Sequence, residues 1–68
     1  MTARQKFKRG DPVKLIPRYK KKYSFNKEGD VLGYVDGFCI SPTEIKVRPD
    51  GRKSSRNYPM DIWEKVDG

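Results

Sequence analysis

The sequence has no histidine and only one cysteine, Cys39. A disulfide needs two cysteines and structural zinc sites use several Cys or His ligands, so neither is expected within this chain. The first ten residues are basic, but no apolar run follows them, and we expect neither a secretory signal nor a membrane span. A small domain without disulfides is typical of a reducing compartment, which favours the cytoplasm.

Apolar residues are also scarce: 34% of the 68 residues are hydrophobic and 37% are charged. This length allows one domain, in which folding buries only about 60% of the surface of the unfolded chain. Even so, one Trp, four Tyr and three Phe can build a small core, which is more than a disordered chain usually contains. We predict a flexible basic arm at 1–8, a folded domain at 9–66 and a short tail at 67–68.

Helical periodicity is missing as well, and alternation predicts strands instead. Val13 and Leu15 alternate with polar neighbours, and Ile45 and Val47 do the same in a later segment. Between them, Val31, Gly33 and Val35 share one face before Gly37 interrupts the alternation. A glycine at such a shift of parity predicts a β-bulge or a sharp bend.

Turn signals divide the rest of the chain. Pro49-Asp50-Gly51 is the strongest, since proline fixes φ and glycine accepts a positive φ. After it we predict a fourth strand over 53–58, a short 3₁₀ turn over 59–62 and a closing strand over 63–66. The fold class is therefore all-β, with five short strands and a long polar connection over 18–28.

The order of these motifs resembles that of the small SH3-like barrels, in particular KOW-type and related modules of ribosomal, transcription-linked, phage and photosynthetic accessory proteins. The segments that carry the resemblance are 10–15, 33–35, 45–47 and 58–66, within a span of about 8–66. It implies a small five-stranded SH3-like barrel with a long basic first loop and a short 3₁₀ turn before the last strand. Such barrels bind RNA or DNA, peptides or partner proteins, so the resemblance supports the fold more than the function. The lysine-rich loop also differs from the acidic, aromatic loop with which signalling SH3 domains bind proline-rich peptides.

Positive charge is unevenly distributed. The net charge is +7, and residues 1–27 hold ten of the sixteen basic side chains but a single acid, Asp11. Neutralisation of backbone phosphates by such side chains gives salt-sensitive binding with little sequence selectivity. The predicted residues for nucleic acid or another anionic partner are Arg4, Lys6, Lys8, Arg9, Arg18, Tyr19, Lys20, Lys21, Lys22, Tyr23, Arg52, Lys53 and Arg56. The outward-facing Lys14, Lys46 and Arg48 would extend that surface, whereas the alternative interpretation is a merely solvated surface.

The aromatic residues of the first loop have two interpretations. Tyr19 and Tyr23 either stack on unpaired bases or fold back over the open end of the barrel. For Phe25 we predict burial, because an exposed Phe side chain is unfavourable by roughly 1.5–3 kcal/mol. Tyr58 and Trp63 are expected to pack in the core.

No catalytic pattern is present, and we predict a binding module that is not an enzyme and needs no metal or cofactor. The sequence contains no nucleophile elbow, phosphate-binding glycine loop or acid–base pair at a readable spacing. Cys39 is interpreted as a small buried apolar residue. The leading function is binding of DNA or RNA by a monomer; the alternatives are an accessory subunit that docks an acidic protein and a structural module of a larger assembly.

Overall fold

The computed structural model describes residues 2–25 and 28–66. Met1, Lys27 and the predicted tail at 67–68 lie outside the described residues. A short helix, α1 (Ala3–Lys6), precedes five strands, and two 3₁₀ turns cover Pro17–Tyr19 and Met60–Ile62. The strands are β1 (Pro12–Leu15), β2 (Leu32–Phe38), β3 (Glu44–Pro49), β4 (Arg56–Pro59) and β5 (Trp63–Lys65). The predicted all-β class with five strands is confirmed.

All five strands form one antiparallel sheet in the order β4-β3-β2-β1-β5. The two edge strands are consecutive in the chain, since β4 ends at Pro59 and β5 begins at Trp63. In a flat sheet these edges would be about 19 Å apart, whereas four residue steps reach at most about 14 Å. The sheet must therefore curl, although the described residues show no β4–β5 pairing that would close it into a barrel.

The predicted alternation in the strands is confirmed. Val13 and Leu15 of β1 and Ile45 and Val47 of β3 are all at most 1% exposed, and the residues between them face outward. A strand points successive side chains to opposite faces, so one apolar residue in two is enough to cover the inner face of the sheet. This is how a chain with so few apolar residues builds a core.

Strand β2 contains the predicted irregularity. Val35 lies opposite Val47, but Gly37, two residues later, lies opposite the very next partner, Lys46. The extra residue at Asp36 shifts the side-chain parity, as a β-bulge does. Cys39 follows the strand and is half-buried, so the prediction that it is a buried strand residue was wrong.

The predicted fourth strand over 53–58 is shorter and starts later than expected. The turn after β3 has Gly51 at φ +82° and is held by a hydrogen bond from the Arg52 N–H to the Pro49 carbonyl oxygen, 3.1 Å. Residues 52–55 remain in this polar connection, and pairing with β3 begins only at Arg56. The 3₁₀ turn and the closing strand occur where the sequence predicted them.

The N-terminal segment differs from the predicted arm. Ala3 and Phe7 are each 1% exposed and belong to the main hydrophobic cluster. The Thr2 N–H donates to Gln5 Oε1 at 2.8 Å, and the Ala3 N–H donates to the Pro42 carbonyl oxygen at 2.6 Å. Residues 2–8 are therefore packed against the sheet through Ala3 and Phe7, while Arg4, Gln5 and Lys8 are exposed.

An aromatic cluster fills the concave side of the curled sheet. Trp63 is fully buried and meets Tyr58 at a centroid distance of 5.5 Å and Phe25 at 6.4 Å, both edge-to-face. Tyr23 adds a further edge-to-face contact with Tyr58 at 5.8 Å. Burial of Phe25, Tyr58 and Trp63 was predicted and is confirmed.

Replacement of Gly33 by alanine is expected to destabilise the fold by about 1–3 kcal/mol. A Cβ atom there would lie 2.9 Å from the Arg48 carbonyl oxygen and 3.0 Å from Val47 Cγ1, and the backbone oxygen cannot move without breaking the β2–β3 ladder. Gly37→Ala is the matched control, because its nearest neighbour would be 3.8 Å away. Urea unfolding of both variants measures the difference in their stability. Equal midpoints would show that Gly33 lies farther from Arg48 and Val47 than these distances indicate.

Candidate anionic-ligand interface

The predicted cations separate into two sets in the structure. The N-terminal group is Arg4, Lys6, Lys8 and Arg9, carried by α1 and the segment before β1. The loop–hairpin group is carried by the first loop, the β3–β4 connection and the first residue of β4; its members are Arg18, Lys20, Lys21, Lys22, Arg52, Lys53 and Arg56. Apart from the half-buried Lys6 and Lys20, all these side chains are exposed.

The first loop and the β3–β4 connection meet at Phe25. The Arg52 guanidinium lies over the Phe25 ring, 5.0 Å from its centroid. Phe25 in turn contacts Tyr58 of β4 at 6.2 Å. Two basic segments that are distant in the sequence thus share one apolar support, which places Arg52 against the first loop.

Lys20 differs from its two neighbours. Its Nζ donates a hydrogen bond to the Gly29 carbonyl oxygen at 2.7 Å, which ties the start of the loop to its end. Lys21 and Lys22 are exposed and make no such bond in the described structure. Lys20 therefore positions the loop, and Lys21 and Lys22 are the loop lysines that can meet a ligand.

Tyr19 and Tyr23 are partly buried and pack against the hydrophobic cluster. The Arg18 guanidinium lies 5.2 Å from the centroid of Tyr19, and Lys22 Nζ lies 5.9 Å from that of Tyr23. Both rings thus contribute to the cover over the core, one of the two interpretations of the sequence. Stacking on bases remains a prediction for whatever ring surface is still exposed.

In the N-terminal group, two arginines lie against β2. The Arg4 guanidinium is 4.9 Å from the centroid of the Phe38 ring. Arg9 Nη2 lies 3.8 Å from the point that a Cβ atom on Gly37 would occupy, and Lys46 Cδ lies 4.0 Å from the same point. Arg9, which follows α1, therefore lies near Lys46 of β3, a residue outside the main predicted set.

Acidic side chains neutralise little of this charge. Within residues 2–25 and 28–66 the only salt bridge joins Lys65 Nζ to Asp11 Oδ2 at 3.4 Å. Asp11 Oδ2 also accepts a hydrogen bond from the Lys8 backbone N–H at 2.8 Å. This bond, aided by Lys65 against the opposing effect of burial, lowers the pKa of Asp11 below its usual value of 3.8. The one acid of the N-terminal segment is thus occupied by local structure.

Two exposed apolar residues of β2 were not predicted from the sequence. Leu32 is 41% exposed and Tyr34 is 49% exposed, and both lie on the outer face of β2. They line a groove of about 220 Å³ together with Pro12 and Val66. The signal was available, because residues that alternate with the inward-facing Val31, Gly33 and Val35 must point outward.

Comparison of the chain with protein-family models, with curated proteins and with solved structures finds no match. The strand order is compatible with an SH3-like fold, but no family is assigned. No helix of the described segments is long and apolar enough to cross a membrane. In the part of the chain that the structure covers, no three His, Cys, Asp or Glu side chains are grouped to hold a metal ion.

Proposed function

We propose that this protein is a non-enzymatic binding module for DNA or RNA, which it contacts through backbone phosphates with little sequence selectivity. The observation that carries the proposal is the unneutralised charge: none of the predicted cations forms a salt bridge within the described residues. Exposed cations without acidic partners attract a polyanion and raise its local concentration.

The loop–hairpin group is the principal contact surface in this proposal. Arg52 over Phe25 holds the β3–β4 connection against the loop that carries Lys21 and Lys22. A phosphate backbone that follows this edge would meet cations from both segments. The absence of a recognition helix in the described fold supports contact with backbone rather than with base edges.

The finer assignments belong to the same proposal. The curled five-stranded sheet, with its 3₁₀ turn before the last strand, supports an SH3-like barrel of the KOW-type and related modules. We further propose that the protein is a monomer and acts in the cytoplasm; its single cysteine cannot form an internal disulfide, which suits a reducing compartment.

The double variant K21Q/K22Q is expected to bind single-stranded and duplex DNA and RNA more weakly than the wild type. For each phosphate of duplex DNA that the variant no longer neutralises, the salt slope of log K should fall by about 0.9. Fluorescence anisotropy with labelled oligonucleotides, from low to physiological salt, measures both the affinity and the slope. Because both side chains are exposed and neither forms a salt bridge within the described residues, the fold should be unaffected.

The charge-preserving variant K21R/K22R is the control and should retain wild-type affinity. Unchanged affinity of K21Q/K22Q would show that this loop is not the contact surface. If the wild-type protein binds no nucleic acid at physiological salt, the proposed function is wrong.

The second candidate function is docking to an acidic protein, and the exposed apolar side chains of β2 favour it. Leu32 and Tyr34 form an outward patch beside Arg48, which lies directly opposite Tyr34. Exposed apolar residues next to charged ones are common at protein interfaces. Binding of generic oligonucleotides at physiological salt separates the two functions. A nucleic-acid-binding module should still bind them there, whereas a module that docks an acidic protein should bind them only at low salt.

A further inference from the structure

Two cations from distant parts of the chain converge on the β2 bulge. Arg9 Nη2 lies 3.8 Å, and Lys46 Cδ 4.0 Å, from the position that a Cβ atom on Gly37 would take. Gly37 is buried, so these two side chains lie directly over its backbone and flank the same point of the bulge.

The two positive charges have no close counter-charge. Neither Arg9 nor Lys46 has a carboxylate oxygen within 4.0 Å in the described residues, although Asp36 is adjacent to Gly37. Two cations that lie beside the same residue and have no acidic partner create a local positive potential, which favours binding of a negatively charged group.

Through Lys46 and Phe38, the same place adjoins a surface concavity of about 370 Å³. Lys46 lines it, together with Ser41, Glu44 and Asn57. Lys46 is the cross-strand partner of both Gly37 and Asn57, so it lies between the β2 bulge and the Asn57 amide on the outer face of the sheet. Concavities of this size are large enough for a small ligand.

We propose that the exposed ends of Arg9 and Lys46 hold one phosphate group beside the β2 bulge, and that this phosphate belongs to a nucleic-acid strand. A guanidinium binds phosphate oxygens in pairs, and a lysine adds a point charge. The adjoining concavity leaves room for the sugar that carries the phosphate. This site rests on the proposed function, to which it adds a defined phosphate position apart from the loop lysines.

The variant R9Q/K46Q tests the site against K14Q/R48Q, which removes the same charge from the same sheet face. Against labelled single-stranded DNA, R9Q/K46Q should bind about 10- to 150-fold more weakly than the control, the reduction expected from removal of a charge-assisted hydrogen bond. Its salt slope should fall by about 0.7, as for one phosphate on a single strand. If the affinity falls equally in the two variants, the cations act only by general electrostatic attraction and the phosphate site is wrong. The proposed function would still hold in that case, provided that the wild-type protein binds the strand.

A substitution at position 37 gives a second test that keeps both cations. Gly37→Glu introduces a carboxylate between Arg9 and Lys46, whereas Gly37→Gln adds the same bulk without charge. Affinity for the single strand should fall much further in Gly37→Glu than in Gly37→Gln. Similar affinities of the two variants would overturn the phosphate site.

The source of the phosphate is tested by NMR titration of the wild-type protein, with the Gly37 amide as reporter. Single-stranded DNA should saturate its chemical shift at a far lower concentration than inorganic phosphate does. Saturation by inorganic phosphate at equal concentration would assign the site to free phosphate and overturn the nucleic-acid source. If no strand binds the wild type at all, both the site and the proposed function are wrong.

Discussion

Trp63→Ala is expected to remove most of the stability of the domain. Truncation of a buried Trp costs about 3–5 kcal/mol, because it leaves a cavity that the surrounding side chains fill only in part. Here Trp63 is 0% exposed and supports both Phe25 and Tyr58. A 68-residue domain has a total free energy of unfolding of only about 3–10 kcal/mol, so the variant should be partly or wholly unfolded at room temperature.

The measurement is urea or thermal unfolding followed by circular dichroism, since Trp63 is the only tryptophan and the variant has no tryptophan fluorescence. Ile40→Ala is the control: Ile40 is fully exposed, and its truncation should change stability by no more than about 0.5 kcal/mol. Similar midpoints for the two variants would mean that the aromatic cluster does not hold the sheet together.

Trp63→Phe should be far milder than Trp63→Ala. The Trp63 indole Nε1 is buried without a hydrogen-bond partner among the described residues. Phenylalanine removes this unsatisfied donor, whose burial destabilises the folded state by about 1–3 kcal/mol, and keeps most of the ring packing. The gain offsets part of the effect of the smaller volume, so the variant is expected to fold.

The strands could be predicted from the sequence because alternation is a local signal. Each strand needs only the order of its own residues to assign its inner face, and Gly37 revealed the bulge where that order changed. Strand β4 was placed less well, since its polar residues carry no alternation before Tyr58. Its start at Arg56 is set instead by the width of the turn at 49–52 and by pairing with β3.

The candidate site could be predicted only in part. Which residues carry charge is evident from the sequence, but their neighbours are not. Arg9 and Lys46 both lie beside Gly37 because the Gly10 N–H donates to the Val35 carbonyl oxygen of β2, and the Lys20 ammonium is bound to the Gly29 carbonyl oxygen. Both facts depend on contacts between distant segments, for which a single sequence carries no signal.

The N-terminal segment shows why a basic stretch was taken for an arm. Residues 1–8 contain three basic side chains, no acidic one and no run of apolar residues, so their composition is typical of a disordered tail. Ala3 and Phe7 are nevertheless four residues apart, the spacing that places two side chains on one face of a helix. One turn of helix is enough to bury both, and the cations then face solvent.

Phe7→Ala should therefore destabilise the whole domain by about 3–5 kcal/mol, the cost of truncating a buried aromatic residue. Phe7 is 1% exposed within the main cluster, and its N–H donates to the Ala3 carbonyl oxygen at 2.9 Å. Lys8→Ala is the matched control, because its exposed side chain can be removed while its backbone N–H still donates to Asp11. Denaturant unfolding followed by circular dichroism compares the two. If Phe7→Ala proves as stable as Lys8→Ala, residues 1–8 are an arm outside the folded domain, and Arg9 lacks the support that holds it over Gly37.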